Sequence, residues 1–396
     1  MANVSLMPIL GMNTVARDDN LQRGGDTPAL FVRDAVNVDI HSDGRFSMRH
    51  GVRKVSDLAL RNMWQSPLHG DVFAALGDEW GLVDTHNWGV QALARCGKGK
   101  IWHEVVNHHV MVATDEGILV YDGQSAKRLA IETPPMPLVL ETVGSMEMGS
   151  YGVAVSWLRG KLESAVSAMA TIEVKQGGLS VMLPMCTDDT VTGVRLYLTR
   201  CNGGELLQAG DYAIDAVKVD VVLLPRLGAS ARFRHLSPMP SGKFLKLWRG
   251  RLLVARANRL LFSEAMAFHL HDERFGWLQF PQRITFVQPV EGGIWVGQVN
   301  HVVFLSGQDV ANLTTMQTSG KPPVPESAIL LGANEVGELS GGLPVAAWLA
   351  ENGWVMGTAN GQLVETQAGV MSAIMGQTGQ SVLFGRRVLT LCAMCS

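Results

Sequence analysis

His269, His271, Asp272 and Glu273 crowd four metal-capable side chains into five residues. Residues two apart on a strand share a face, so both imidazoles would point the same way, as a metal site requires. The cluster lies between a third strand and the next apolar strand of the pattern described below, where a solvated polar loop is the simpler reading. His269 and His271 are therefore kept only as weak metal candidates. His108-His109 falls in an expected hairpin turn. Cys392-x-x-Cys395 lacks the second pair that four zinc ligands need, and no strand-to-helix context makes it a redox motif. Gly97-Lys98-Gly99-Lys100 lacks the glycine spacing and the Ser/Thr of a phosphate loop. Asp188-Asp189, and Glu141 with Glu147, read as solvated loop carboxylates; a glycosidase would need two held across a cleft. No nucleophile elbow, zinc-protease helix or calcium loop occurs. The expectation is a protein without catalytic residues, cofactor or resident metal.

Whatever positions these residues must be β-structure. The 396 residues exceed the usual single core, which implies two domains or one repeat architecture with an insertion. With 47% hydrophobic and 17% charged residues, disorder is excluded. Forty-three glycines and sixteen prolines, scattered along the chain, imply many short strands joined by tight turns. So little charge points to a surface covered by partner subunits. A net charge of −3 gives no basic footprint for nucleic acid, yet suits a conduit through which DNA slides without specific binding. No apolar run is long enough for a membrane span, and Met1-Ala2-Asn3-Val4 does not open a secretory signal. The five cysteines (Cys96, Cys186, Cys201, Cys392, Cys395) read as those of a reduced protein made in the cytoplasm.

Four stretches share one plan of three strands and two turns. They are Ile101–Val106, Val110–Thr114 and Ile118–Tyr121; Phe244–Trp248, Leu252–Ala255 and Leu260–Phe262; Ile284–Val287, Ile294–Gly297 and Val302–Leu305; and Ala346–Leu349, Trp354–Gly357 and Gln362–Val364. Glu116-Gly117, Asp122-Gly123, Asn352-Gly353 and Asn360-Gly361 supply the turns. From 244 to 284 is 40 residues, and deleting 134–236 leaves the same interval between 101 and 244. A unit of roughly 40–45 residues with three or four strands marks a β-propeller blade. A weaker blade precedes at 71–83, and the longer step to the fourth stretch is assigned to an extra loop at Lys321–Pro325. Five to seven blades are expected, closed by pairing the N-terminal strand with the last ones; an unclosed run of meanders or a sandwich is the alternative. Residues 134–236 carry about seven short strands, the pattern of a β-sandwich. The division is thus 1–133 for the N-terminal segment and first blades, 134–236 for the insertion, and 237–396 for the remaining blades.

The N-terminal segment reads Phe31-Val32-Arg33-Asp34-Ala35-Val36-Asn37-Val38-Asp39-Ile40, then Asp43-Gly44-Arg45-Phe46-Ser47-Met48-Arg49-His50-Gly51. It resembles the opening of phage tail nozzle, hub or stabilisation proteins, with Arg33, Asn37, Asp39, Gly44, Arg49 and Gly51 matching that family's phrase and His50 standing where a second basic residue is expected. The insertion likewise resembles fibronectin type III or immunoglobulin-like modules of phage structural proteins. The resemblance implies a virion tail protein that assembles as a homo-oligomeric ring around the tail axis, six copies being one possibility. It implies adaptor, fibre or neighbouring tail subunits as partners. Physically, the phrase is a strand carrying Val36, Val38 and Ile40, a turn at Asp43-Gly44 and a returning strand, with Asp34, Asn37 and Asp39 fixing the turn. Two other readings stay open: a glycan- or receptor-binding or fibre-anchoring propeller protein, stacking sugars on Trp157, Trp277 or Trp354 in the glycan case, and a propeller enzyme degrading polysaccharide.

Overall fold

The computed structural model describes residues 9–23, 29–41, 43–49, 51, 53–318, 320–372, 374–385 and 387–394. They form almost nothing but β-structure in many small, mostly antiparallel sheets. No helix among them is long and apolar enough to cross a membrane. The chain divides into two compact units, one of 59–256 with 260–279, the other of 1–58, 257–259 and 280–396.

Five sheets are meanders in which consecutive strands pair. The first holds Arg61–Gln65, Val72–Leu76, Glu79–Val83 and Val90–Arg95; the second, Trp102–Val106, His109–Thr114, Gly117–Tyr121 and Ala126–Arg128. The third is built on Lys243–Trp248, Arg251–Arg256, Arg259–Glu264 and Ala267–His271. The fourth is Ile284–Val290, Gly293–Gln298, Val302–Ser306 and Thr314–Gln317; the fifth, Ile329–Leu331, Val345–Ala350, Gly353–Gly357 and Leu363–Glu365. A fourth strand thus completes each expected trio. Asn107 and His108, both at positive φ (+49° and +62°), make the tight turn between two strands of the second meander.

The fifth meander corrects the expected phase. Its opening strand is Ile329–Leu331, so Ala346–Leu349 belongs to a second strand and the interval from Ile284 is 45 residues. The extra residues lie after that opening strand, where Ala333–Val336 and Gly337–Ser340 form single helical turns, and not at Lys321–Pro325.

Within each unit, neighbouring meanders share cores. Phe73 and Trp80 of the first pack with Val110, Val112 and Leu119 of the second. The other side of the second meander (Val106, Met111, Ala113, Ile118) packs with Leu245, Leu252, Val254 and Phe268 of the third, although more than a hundred residues separate them in sequence. In the other unit Trp295 and Phe286 of the fourth meander lie against Trp348 of the fifth, with ring centroids 5.4 and 5.1 Å away. A Cβ on Gly357 would come within 2.4 Å of the Trp295 ring, which explains the small residue ending that strand.

Residues 138–221 form two sheets around one core. Leu138–Met146, Gly177–Met182 and Lys218–Val221 make one; Gly149–Arg159, Leu162–Glu163, Ala170–Val174, Gly193–Leu198 and Leu207–Ala213 make the other. Val181, Val219 and Val221 from the first meet Val153, Val155, Trp157, Val194 and Leu196 from the second. Alternation along each strand sends these residues inward and their neighbours outward.

In the second unit Ile9–Met12, Gln22–Arg23 and Ala29–Val32 form a small sheet, and two hairpins pair Val38–Ile40 with Phe46–Met48 and Gly376–Phe384 with Arg387–Met394. Val36 is not part of the strand expected there. Asn37 sits at φ +58°, which breaks the extended run and leaves Val36 75% exposed.

Candidate functional site

Each polar residue singled out in the sequence has a definite place. His269 and His271 are not in a loop: they occupy the strand Ala267–His271 and are buried, at 4% exposure each. Each imidazole donates to a different backbone carbonyl, His269 Nε2 to Glu163 O at 2.9 Å and His271 Nδ1 to Phe262 O at 2.8 Å. Burial pushes the His269 imidazole below its usual range. Asp272 pairs instead with Arg274 at 2.8 Å, and Glu273 lies exposed. Among the described residues no group of three or more His, Cys, Asp or Glu side chains is arranged to hold a metal.

Glu163 is the centre of the best-built polar site. Its carboxylate accepts from Ser156 Oγ at 2.6 Å, from Arg195 Nη1 at 2.8 Å and from the Tyr197 hydroxyl. Arg195 also forks onto both oxygens of Asp211, at 2.7 and 2.8 Å, and Gln208 reaches Asp211 at 3.1 Å. Strand register builds this row, because Ser156 lies opposite Arg195 and Arg195 opposite Asp211 on the sheet face away from the valine core. Arg195 holds the Asp211 carboxyl below its ordinary value, while burial and the bond to Glu163 raise the Tyr197 hydroxyl. With His269 docked on the Glu163 carbonyl, the row joins the two-sheet module to the third meander.

A second anchor grips the chain leaving the second meander. Arg159, 14% exposed, donates to the carbonyls of Arg128, Leu129 and Ala130 and pairs with Asp188 at 2.8 Å. Asp188 is therefore an anchored residue, not a solvated one. Glu141 lies on a strand, where it accepts from the backbone nitrogens of Lys175 and Gln176. These carboxylates are engaged in holding backbone. Chemically they orient and fasten.

The glycine-lysine turn is likewise tied shut. The Arg61 guanidinium donates to the carbonyls of Gly77, Gly97 and Gly99, and Gly99 N donates to Asp115. Beside it sits a cluster that sequence reading missed: His103 stacks on Trp64 with centroids 4.9 Å apart and accepts from Trp80 Nε1 at 3.0 Å. Burial pushes the His103 imidazole down to about 3, so it stays a neutral acceptor. Cys392 is half-buried on the last strand, and Cys395 lies outside the described residues. Trp157 is core, while Trp277 and Trp354 are half-buried against hydrophobic clusters, which corrects the picture of exposed sugar-stacking rings.

Of the N-terminal phrase, Asp39 is bonded by Arg49 at 2.7 Å and by Arg387 of the C-terminal hairpin. Those bonds, Arg49's first, lower the Asp39 pKa. Arg33 holds Asp18 and the Thr14 carbonyl; Asn37 O accepts from Arg49 N; Gly44, at φ +81°, closes the turn; Gly51 is exposed. Thr14 also bonds Val370 and Ser372, so the N-terminal segment is fastened to the last seventy residues through several independent contacts within one unit. His50 lies outside the described residues.

No family model and no curated protein matches this chain. Among solved structures, Kluyveromyces lactis Hsv2 aligns over 85% of this chain and 90% of its own, at 5% identity and TM-score 0.32. BBS1N, solved in complex with ARL6DN, aligns over 83% and 88%, at 12% identity and TM-score 0.33. The extracellular domain of a putative one component system from B. thetaiotaomicron aligns over 85% and 58%, at 10% identity and TM-score 0.25. Likenesses this remote carry no argument about this chain.

Proposed function

We propose that this chain is a non-enzymatic structural protein of a phage tail, a β-propeller interrupted at 134–236 by an immunoglobulin-like sandwich, assembling as a ring in the virion after synthesis in the host cytoplasm. The N-terminal phrase motivates the family, and the shared core of the second and third meanders supports an interrupted repeat. The observation that carries the assembly reading is the outer face of the C-terminal hairpin. Val382, Phe384, Leu389 and Leu391 stand there at 56, 72, 41 and 82% exposure. Register places them together, with Val382 opposite Leu389, Gln380 opposite Leu391 and Phe384 opposite Arg387. At about 150–200 Å² for a whole large side chain, the face bares roughly 400–500 Å² of apolar surface, the size at which such patches serve contacts. A second copy is the occupant this reading assigns, with adaptor, fibre or other tail subunits on further surfaces. DNA passes through the lumen unbound.

Electron microscopy of the recombinant protein and of purified virions tests this. Rings are expected from the native chain, and the double variant Phe384→Asp with Leu391→Asp stays monomeric while its circular dichroism is unchanged. A native chain that is strictly monomeric and absent from particles overturns the reading.

A further inference from the structure

A cavity of about 560 Å³ opens in the unit that holds the fourth and fifth meanders. That is within the range of ligand sites. Pro322, Pro323 and Met375 supply apolar wall, and Arg283, Glu351 and Gln377 are the long polar side chains that line it. Among the described residues, none of those three side chains has a hydrogen-bond or ion-pair partner. The backbone around them is already engaged: Glu351 N donates to Pro322 O, Ile374 N to Glu351 O, and Gly379 N to Pro325 O. Prolines bring no N–H and a fixed φ, so the wall is stiff and formed in advance. What remains unanswered is one cation, one anion and one amide around an apolar floor.

We propose that this cavity docks an extended peptide segment of a partner protein. One apolar side chain of the peptide rests on Pro322, Pro323 and Met375, an acidic side chain meets Arg283 and a basic one meets Glu351. The Gln377 amide, donor and acceptor at once, pairs with a peptide bond. Opposite charges in one cavity select against the alternatives: a nucleic acid is repelled by Glu351, and an acyl chain leaves both charges unanswered. The proposal does not depend on ring assembly, because every group belongs to a single chain.

Fluorescence polarisation against the full chain tests it, using labelled, capped octapeptides with leucine, isoleucine or methionine at the centre and glutamate and lysine two residues to either side, in both orders. Micromolar binding is expected for part of the set, weakened at least tenfold by Arg283→Glu and by Met375→Arg. Both positions are exposed, Met375 at 63%, so these changes leave the fold intact. Peptides bearing two glutamates regain binding on Glu351→Lys. The proposal falls if no octapeptide binds the native chain more tightly than the Arg283→Glu variant, or if free glutamate and lysine compete as well as the peptides.

Discussion

The joint around Glu163 and the joint around Asp39 are both built from carboxylates and guanidinium groups, yet their surroundings differ. Glu163 and Arg195 have side chains 10 and 25% exposed, and the carboxylate accepts from three side chains, those of Ser156, Arg195 and Tyr197. Asp39 is 24% exposed, but its partners Arg49 and Arg387 stand at 54 and 47%, open to water and salt. The first joint fastens a folded module to a meander. The second fastens one chain end to the other, where the row of contacts from Thr14 shares the task. Identical chemistry thus serves as a structural pin in one place and as a weak latch in the other, and water decides which.

Removing a partner from the buried joint is expected to have the largest effect. Arg195→Met leaves Glu163 and Asp211 without their cation. A fully buried pair broken this way loses about 3–5 kcal/mol, and with Arg195 at 25% and Asp211 at 42% exposure about 2 kcal/mol is expected. Urea unfolding at pH 7 measures it; a loss no greater than that of a surface mutation would erase the contrast.

Acid sharpens it next. Burial lowers the folded pKa of His269 and of His103, the latter to about 3. Stability is therefore complete above the unfolded imidazole value of about 6.5 and declines as pH falls toward the folded values. His103 alone accounts for about 2 kcal/mol between pH 6.5 and pH 5. His103→Gln keeps an acceptor for Trp80 and should flatten the slope of stability against pH; an unchanged slope would refute the assignment. The Asp39 joint does not respond in this window. Its lowered pKa gives stability that is present above the unfolded carboxylate value of about 3.9 and lost only as pH falls through the lower folded value.

The smallest effect belongs to the exposed joint itself. Asp39→Asn should leave the urea midpoint nearly in place, with any residual shift vanishing in 0.5 M salt. A large, salt-independent shift would mean that the latch is as strong as the pin.

The repeat was legible in the sequence because period-2 alternation and turn dipeptides are local, and Asn107 and His108 turn where the pattern requires. The fifth meander was misphased for the same reason: its opening strand, Ile329–Leu331, is three residues long and easily passed over. Val36 was misread because a single left-handed asparagine ends the alternation. The site was the least legible part. Whether Arg195 meets Asp211 depends on strand register, and whether His269 is solvated depends on Glu163, 106 residues earlier. No local pattern carries either fact. His103 could have been noticed as a polar residue amid Trp64, Trp80 and Trp102, though its stacking partner could not.

The shared core of the second and third meanders bears on how the molecule is made. During synthesis, Met111 and Ile118 emerge long before Leu252 and Phe268, so half of that core waits for its other half. Loop closure grows costlier only as the logarithm of the intervening length, by about 0.6 kcal/mol per doubling. If the intervening stretch folds first, the Arg159 grip on the chain at 128–130 already fixes one end of the gap. The intervening stretch then acts as a splint: it shortens the search it would otherwise prolong.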